Sequence, residues 1–381
     1  MSQRMMVWAV AVLAASAASA SGFDTHRLER RLGDMDCPGA VVGIFPDDQA
    51  PVVAAIGLAR VGTELPMQVA MRMRIGSVSK LFVGTAALCL ADRGLLSLDD
   101  FVSEHVEGVP GGDRITIRML GNQTSGLFDP IADPDFQSEI VEEPGRLWHP
   151  AEVLAYSHRH PLRDQPGAVF RYGNAGTIVL GQVMVAATGK PLPEIVRDEV
   201  CEPLRLKGTG FCRGASPPPP TPSAYRFGAA GRWLGYGRVF ADVTGYSASW
   251  TSWAGDMYST LSDLGCATRP LATGLLLSES SRAELHAWRT TDEADSAYGF
   301  LISRNDLGIG HDGDVPGFNA VVRYSASRRA SLVVLTNLSN NADGSMPAEV
   351  LARCVWPTEL EPSDQRDPTA RDPKQRGASQ R

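Results

Sequence analysis

The chain has 381 residues, 43% hydrophobic and 21% charged, which excludes a largely disordered protein and leaves enough apolar side chain for a large core. A net charge of -7 and a pI near 5.6 exclude the electrostatic footprint of a nucleic-acid binder or an anionic-membrane binder. A small or neutral substrate fits this balance better.

Residues 1–20 read as an export signal. Arg4 is the positive start, Met5 to Ala15 the apolar run, and Ala18 and Ala20 the small residues of a cleavage site. The apolar stretch is shorter than the roughly 18 residues a spanning helix needs, so the sequence predicts a secreted or periplasmic chain without a stable membrane span once the signal is removed. Export permits disulfides among Cys37, Cys89, Cys201, Cys212, Cys266 and Cys354. Cys201 and Cys212 bracket a short glycine-containing loop and form the expected pair, while Cys89, in an apolar helical run, is expected to be a buried thiol. No cysteine or histidine spacing resembles a zinc site, so no metal and no cofactor are expected.

Further along, residues 24–34 predict a helix, and Ala40 to Phe45 and Val52 to Gly57 a strand hairpin across a Pro-Asp-Asp turn. Residues 78–93 predict an alanine- and leucine-rich helix stopping at Gly94. From about 105 to 254 the pattern is helices and long polar loops, with a Pro217 to Pro220 run that belongs to no regular element. Strand signals return at Tyr298 to Ser303, Ile309 to Gly313, Asn319 to Tyr324 and Ser331 to Asn337, before a helix near Pro347 to Val355. The predicted organisation is a discontinuous alpha/beta domain (24–104 and 255–356), an inserted mostly helical domain (105–254) and a disordered tail (357–381) rich in proline and arginine. A cleft between sheet and insert is the expected place for a site.

Three segments carry chemistry. Arg74-Ile75-Gly76-Ser77-Val78-Ser79-Lys80-Leu81 puts a hydroxyl and an ammonium three residues apart, side by side on a first helical turn. A serine hydroxyl needs a base, and a desolvated lysine of lowered pKa can be one. The pattern alone arises by chance in about a quarter of chains of this composition. Ser79 competes as nucleophile but has no lysine three residues on. The second segment, Arg171-Tyr172-Gly173-Asn174-Ala175-Gly176, is a loop able to point a phenol and an amide into one cleft. Beside a protonated lysine the anionic form of Tyr172 is favoured, so it could relay protons to a leaving group while Asn174 anchors Lys80. The third, Gly310-His311-Asp312-Gly313-Asp314-Val315-Pro316-Gly317-Phe318, is a strand whose glycines allow another chain to approach closely. Of the seven histidines, only His311 has this setting.

In this order the three segments resemble the motifs of the class C beta-lactamase and DD-peptidase superfamily of serine hydrolases: SxxK, YxN, and a lysine- or histidine-containing triad ending in glycine. The stretches Ile115 to Leu120, Thr124-Ser125-Gly126-Leu127, Pro166-Gly167, Ala254-Gly255 before Ser259-Thr260, and Pro316-Gly317-Phe318 extend the likeness over roughly residues 35–340. The resemblance implies an α+β fold, an antiparallel sheet flanked by helices beside a helical domain, and acylation of Ser77. It implies Lys80 and Tyr172 together as the general base, the order of proton transfer between them left open, and Asn174 as the holder of Lys80. It also implies His311 in place of the third motif's basic residue, Gly313 beside it, and the backbone N–H groups of Ser77 and Asp314 as an oxyanion hole.

The His311-to-Asp314 segment departs from the lysine-threonine-glycine form of efficient beta-lactamases and resembles the histidine form of DD-peptidases, esterases and aminopeptidase-like relatives. Asp312 and Asp314 replace the hydroxyls that relatives use to hold a substrate carboxylate, and two carboxylates repel another anion unless Arg323 or Arg304 offsets them. The expected substrate is a small peptide, amide or ester, possible sources including peptidoglycan. The expected activity is that of a D-alanyl-D-alanine carboxypeptidase or a D-amino-acid peptidase or amidase. Carboxylesterase or acyltransferase chemistry on the same nucleophile is the first alternative, and a weak beta-lactamase or non-catalytic peptidoglycan-binding protein the second.

Overall fold

The computed structural model describes residues 23–227, 240–293, 295–341 and 344–356, so the expected signal segment and tail lie outside the described residues. The first helix, α1 (Thr25–Asp34), starts where the Asp24 carboxylate accepts the Arg27 N–H, and it buries Leu28 and Leu32, four apart on one face. The hairpin β1 (Gly39–Pro46) and β2 (Val52–Gly57) follows, then β3 (Met73–Arg74). A 3-10 turn at Gly76–Val78 leads into α2 (Ser79–Asp92), whose residues from Ser79 to Leu90 are all buried. A helix apolar on every side belongs at the centre of a core.

Helices α3 (Ile117–Gly121), α4 (Pro134–Glu142), α5 (Pro150–His158), α6 (Ala175–Thr188) and α7 (Leu192–Val196) fill the predicted helical stretch. Short strands β4 (Gly210–Phe211), β5 (Tyr225–Phe227), β6 (Phe240–Asp242) and β7 (Met257–Ser259) follow. After α8 (Leu261–Thr273) and α9 (Glu279–Leu285) come β8 (Arg289–Thr290), β9 (Ala297–Tyr298), β10 (Ser303–Asn305), β11 (Gly308–Val315), β12 (Phe318–Ser325), β13 (Ala330–Thr336) and α10 (Pro347–Val355).

The main sheet is antiparallel, in the order β2-β1-β13-β12-β11-β10-β9-β8, so the first hairpin pairs with the last strand. Its central strands alternate between two cores, as a period of two requires. Val42, Val321, Leu332 and Val334 pack with Leu28, Leu32 and Leu351 of α1 and α10. Val41, Val322, Val333 and Leu335 face the other way, into a cluster that runs through Phe82 and Leu88 of α2 to Val153 of α5 and Ile178 of α6. That second cluster is one continuous body from the sheet to the helical stretch.

Two expectations are corrected. Tyr298 to Ser303 is not a single strand, because pairing stops at Tyr298 and resumes at Ser303. Between them Leu301 takes a left-handed φ of 53°, the Leu301 N–H donates to Gly121 O and the Phe300 N–H to Leu285 O, and the buried side chains wedge among the helices. Nor do Cys201 and Cys212 form a bridge; both are free thiols. Cys201 ends a π-helical turn and is buried against the α2 side of the core, whereas the Cys212 thiol faces Arg74 and its N–H donates to Asp256 O. Cys89 is buried and free. Among the described residues no helix is long and apolar enough to cross a membrane.

Candidate active site

The turn that carries Ser77 lies directly against β11, and glycines make this possible. A Cβ on Gly313 would sit 2.0 Å from Ile75 O and 3.1 Å from Ser77 N. One on Gly76, whose φ is 52°, would sit 2.7 Å from Asp314 N. The Ser77 and Asp314 amides are thereby brought side by side. β10 pairs with β11 only at Gly308 to Gly310, so the edge from Asp312 to Asp314 has the Ser77 turn beside it rather than a strand.

Lys80, the second residue of α2, is fully buried. Its Nζ donates to Ser77 Oγ at 3.1 Å, Asn174 Oδ1 at 2.8 Å and Ala254 O at 3.2 Å. Burial pushes its pKa down to about 7, with the Asp129 carboxylate pulling the other way. Ser79 is occupied structurally: its hydroxyl donates to Gly76 O at 2.7 Å and accepts the Met257 N–H at 3.2 Å.

Tyr172 is 43% exposed as a residue, while its hydroxyl is desolvated and hydrogen-bonded to the Ser77 side chain. Lys80 Nζ lies 4.8 Å from the ring centroid. The expectation of an anionic phenol is corrected: desolvation of the hydroxyl drives its pKa up, and Asp129 and Asp312 push the same way while Ser77 opposes. At rest Tyr172 holds its proton, and Lys80 titrates near neutrality.

His311, at the position of the third motif's basic residue, is a neutral imidazole. Its Nδ1–H donates to Asp312 O at 2.6 Å, and its Nε2 accepts the Tyr298 hydroxyl at 3.0 Å. Burial, then the Lys80 charge, pushes its pKa down to about 3. Beside it Arg323, buried, pairs with Asp312 and donates to Ser303 Oγ at 2.8 Å. Arg323 rather than Arg304 therefore offsets that carboxylate; Arg304 packs over Trp288 at 5.0 Å. Asp314 is exposed as a residue, but desolvation of its carboxyl raises its pKa to about 7 against the pull of the Arg226 charge, and among the described residues no ion pair engages it.

The structure thus brings Ser77, Lys80, Tyr172, Asn174, His311, Gly313 and Asp314 to one place, where α2, the loop before α6 and β11 converge. It adds partners to which motif reading gave no role: Ala254 O, Tyr298, Gln123 and Asp129. Asp129 comes from a turn whose only sequence signal is Asp-Pro at 129–130, which marks a turn and nothing chemical, and Gln123 directly precedes the Thr124 to Leu127 stretch.

The sequence model of the beta-lactamase family matches residues 25–353. The chain belongs to the beta-lactamase family. Its fold and membership place it in the superfamily of serine hydrolases that includes beta-lactamases and DD-peptidases. The penicillin-binding protein PbpX of Bacillus subtilis (strain 168) is 24% identical over 268 residues, 70% of this chain and 62% of that protein. A D-aminopeptidase of Brucella anthropi is 24% identical over 349 residues, covering 84% of this chain and 61% of the enzyme. This beta-lactamase-family chain thus spans less than two thirds of these relatives' length. The structure of a D-stereospecific amidohydrolase from Streptomyces sp. superposes with a TM-score of 0.76 at 25% identity, over 88% of this chain and 98% of that one.

Proposed function

We propose that the chain is a serine peptidase or amidase that releases an amine from D-aminoacyl amides or peptides through an acyl-enzyme on Ser77. The observation that carries this reading is Lys80 Nζ at 3.1 Å from Ser77 Oγ, held by Asn174 and with its pKa lowered to about 7. Neutral Lys80 accepts the Ser77 proton as Oγ bonds to the substrate carbonyl carbon. The oxyanion is met by the Ser77 and Asp314 N–H groups. As the carbon–nitrogen bond breaks, the Tyr172 phenol gives its proton to the leaving nitrogen and regains one from the Lys80 ammonium. Water then attacks the ester, its proton passing to the same pair, and the acid leaves with Ser77 restored.

The substrate class is supported by two relatives whose names carry D-specific peptide or amide hydrolysis, the D-aminopeptidase and the D-stereospecific amidohydrolase. Electrostatics supports it as well. His311 is neutral and Arg323 is committed to Asp312, so among the described residues the β11 edge offers the Asp314 carboxyl, and the one cation acting on it is Arg226. A free amine suits that edge better than the terminal carboxylate of a D-alanyl-D-alanine substrate.

The test is turnover by the purified chain on D-amino-acid amides, D-alanyl-D-alanine peptides, nitrocefin and p-nitrophenyl esters. Highest kcat/KM is expected on the D-amino-acid amides. Preference for free-carboxylate peptides overturns the electrostatic argument, and ester hydrolysis without amide hydrolysis assigns the chain to the esterases. We also propose export, supported by the apolar run from Met5 to Ala15; a mature N-terminus near Ser21 on protein recovered outside the cytoplasm is the expected finding.

A further inference from the structure

Asn174 holds Lys80 through its side-chain oxygen, and a primary amide has a donor end as well as an acceptor end. What selects the acceptor end lies on the opposite side of Asn174. Asp129, at the entrance of the 3-10 turn Pro130–Ala132, accepts the Ile131 N–H on Oδ1 at 3.2 Å and the Asn174 N–H on Oδ2 at 3.2 Å. The Asn174 side chain also acts on this carboxyl, pulling its pKa down against burial. A carboxylate only accepts, and with the amide oxygen taken by Lys80 the one end of Asn174 that suits Asp129 is its NH2 group.

We propose that Asp129 is a positioning residue of this site, fixing the Asn174 amide so that its oxygen meets Lys80 and setting a negative charge against the buried ammonium. The inference rests on the acyl-enzyme reading above. Its surroundings agree. Gln123 holds the same loop from the other side, its O accepting the Arg171 N–H at 2.8 Å and its Oε1 the Gly173 N–H at 2.9 Å. A Cβ on Gly173 would lie 3.1 Å from Asp129 Oδ2, so carboxylate and loop are in close contact.

The groups facing Lys80 are Ser77 beside it, Tyr172 and Asn174 from the loop before α6, neutral His311 from β11, and Asp129. Asp129 is the one whose charge opposes the desolvation of Lys80. On its far side Asp129 shares a small cavity with Arg163 and Arg171, the first packed over Phe128 and the second paired with Asp164. Burial raises the Asp129 carboxyl, while Lys80 and Asn174 pull it back.

The experiment compares Asp129→Ala and Asp129→Asn with the wild-type chain, reading the rate of Ser77 labelling by a fluorophosphonate and the pH profile of kcat/KM on a D-amino-acid amide. Asp129→Ala frees the amide to turn and should slow labelling at least about tenfold with little change in KM. Asp129→Asn keeps an acceptor for Asn174 but removes the charge. It should recover most of the lost rate and move the acid limb down by about one pH unit, the lower end of what a neighbouring charge does. Should the alanine variant not fold, the limb of the asparagine variant decides. Wild-type rates and an unmoved limb in Asp129→Asn overturn the inference and leave Ser77 as nucleophile. An unlabelled Ser77 in the wild-type chain overturns the acyl-enzyme reading and the inference with it.

Discussion

Two walls meet at Lys80, and different physics holds each. The wall that carries the nucleophile is packed: α2 is buried from Ser79 to Leu90, and the Ser77 turn is pressed on β11 where Gly76 meets Asp314 N and Gly313 meets Ile75 O. The wall that carries the proton relay is wired: residues 171–174 are fixed by hydrogen bonds to Gln123 and Asp129. The packed wall should be sensitive to volume, the wired wall to charge and hydrogen-bonding capacity. The contrast explains how a lysine can be both dry enough to lose its proton near neutrality and held by enough acceptors to stay in place.

The largest expected effects remove the chemistry that both walls serve. Ser77→Ala should abolish fluorophosphonate labelling with an unchanged circular dichroism spectrum, and Lys80→Ala should lower kcat/KM by roughly 10²–10⁴-fold, the range of general-base catalysis. In the wild-type chain kcat/KM should rise with pH and level off above about 7, because the base must be unprotonated. A limb near 10 would mean that burial does not lower the Lys80 pKa and would remove the base from the packed wall.

A change of volume tests the packed wall. Gly313→Ala introduces a Cβ that must push β11 off the Ser77 turn, since it would lie 2.0 Å from a backbone oxygen. Overpacking of this kind costs about 1–3 kcal/mol, and a displacement of about 1 Å between nucleophile and oxyanion donors costs roughly a hundredfold in rate. An active Gly313→Ala chain of wild-type stability would show that the close contact is not needed. At the exposed end of the same strand, Asp314→Asn should raise KM for D-amino-acid amides by roughly fivefold at most, as for an exposed ion pair, and leave KM for neutral esters alone. An equal change for both substrates would sever Asp314 from recognition of the amine.

The two walls also differ in how far the sequence reveals them. The nucleophile, the lysine and the β11 glycines stand in short fixed spacings, because a helical turn and a strand edge set those spacings locally. Strands β1, β2, β12 and β13 were equally legible from their apolar runs. The wired wall depends on residues about 45 to 50 positions apart, Asp129 with Asn174 and Gln123 with Gly173, and no local period records such a pairing. Protonation was the least legible property. Tyr172 read as a phenol whose anion a lysine favours and His311 as the basic residue of its motif, but burial, which no motif encodes, is the main cause that keeps the phenol protonated and the imidazole neutral, and neighbouring charges act in the same direction. The break at Tyr298 to Ser303 has a similar origin: an apolar run fits a strand or a wedge, and helix packing decided for the wedge.

The smallest effect bears on His311 and is one of stability rather than rate. Its folded pKa is about 3 against an ordinary value of 6.5, with burial the main cause. Between those values the unfolded chain binds a proton that the folded chain refuses, so stability falls as pH drops from about 6.5 toward 3 and this contribution is complete only above that window. Carboxylates titrate in the same range, so the wild-type curve alone does not isolate the imidazole. His311→Asn removes it while leaving a polar group beside Tyr298. The wild type should melt above the variant at pH 7, and the gap should narrow steadily down to pH 4. A constant gap would mean that the imidazole takes up its proton equally in both states, which requires water to reach His311 from the wired wall and would erase the contrast between the two sides of the site.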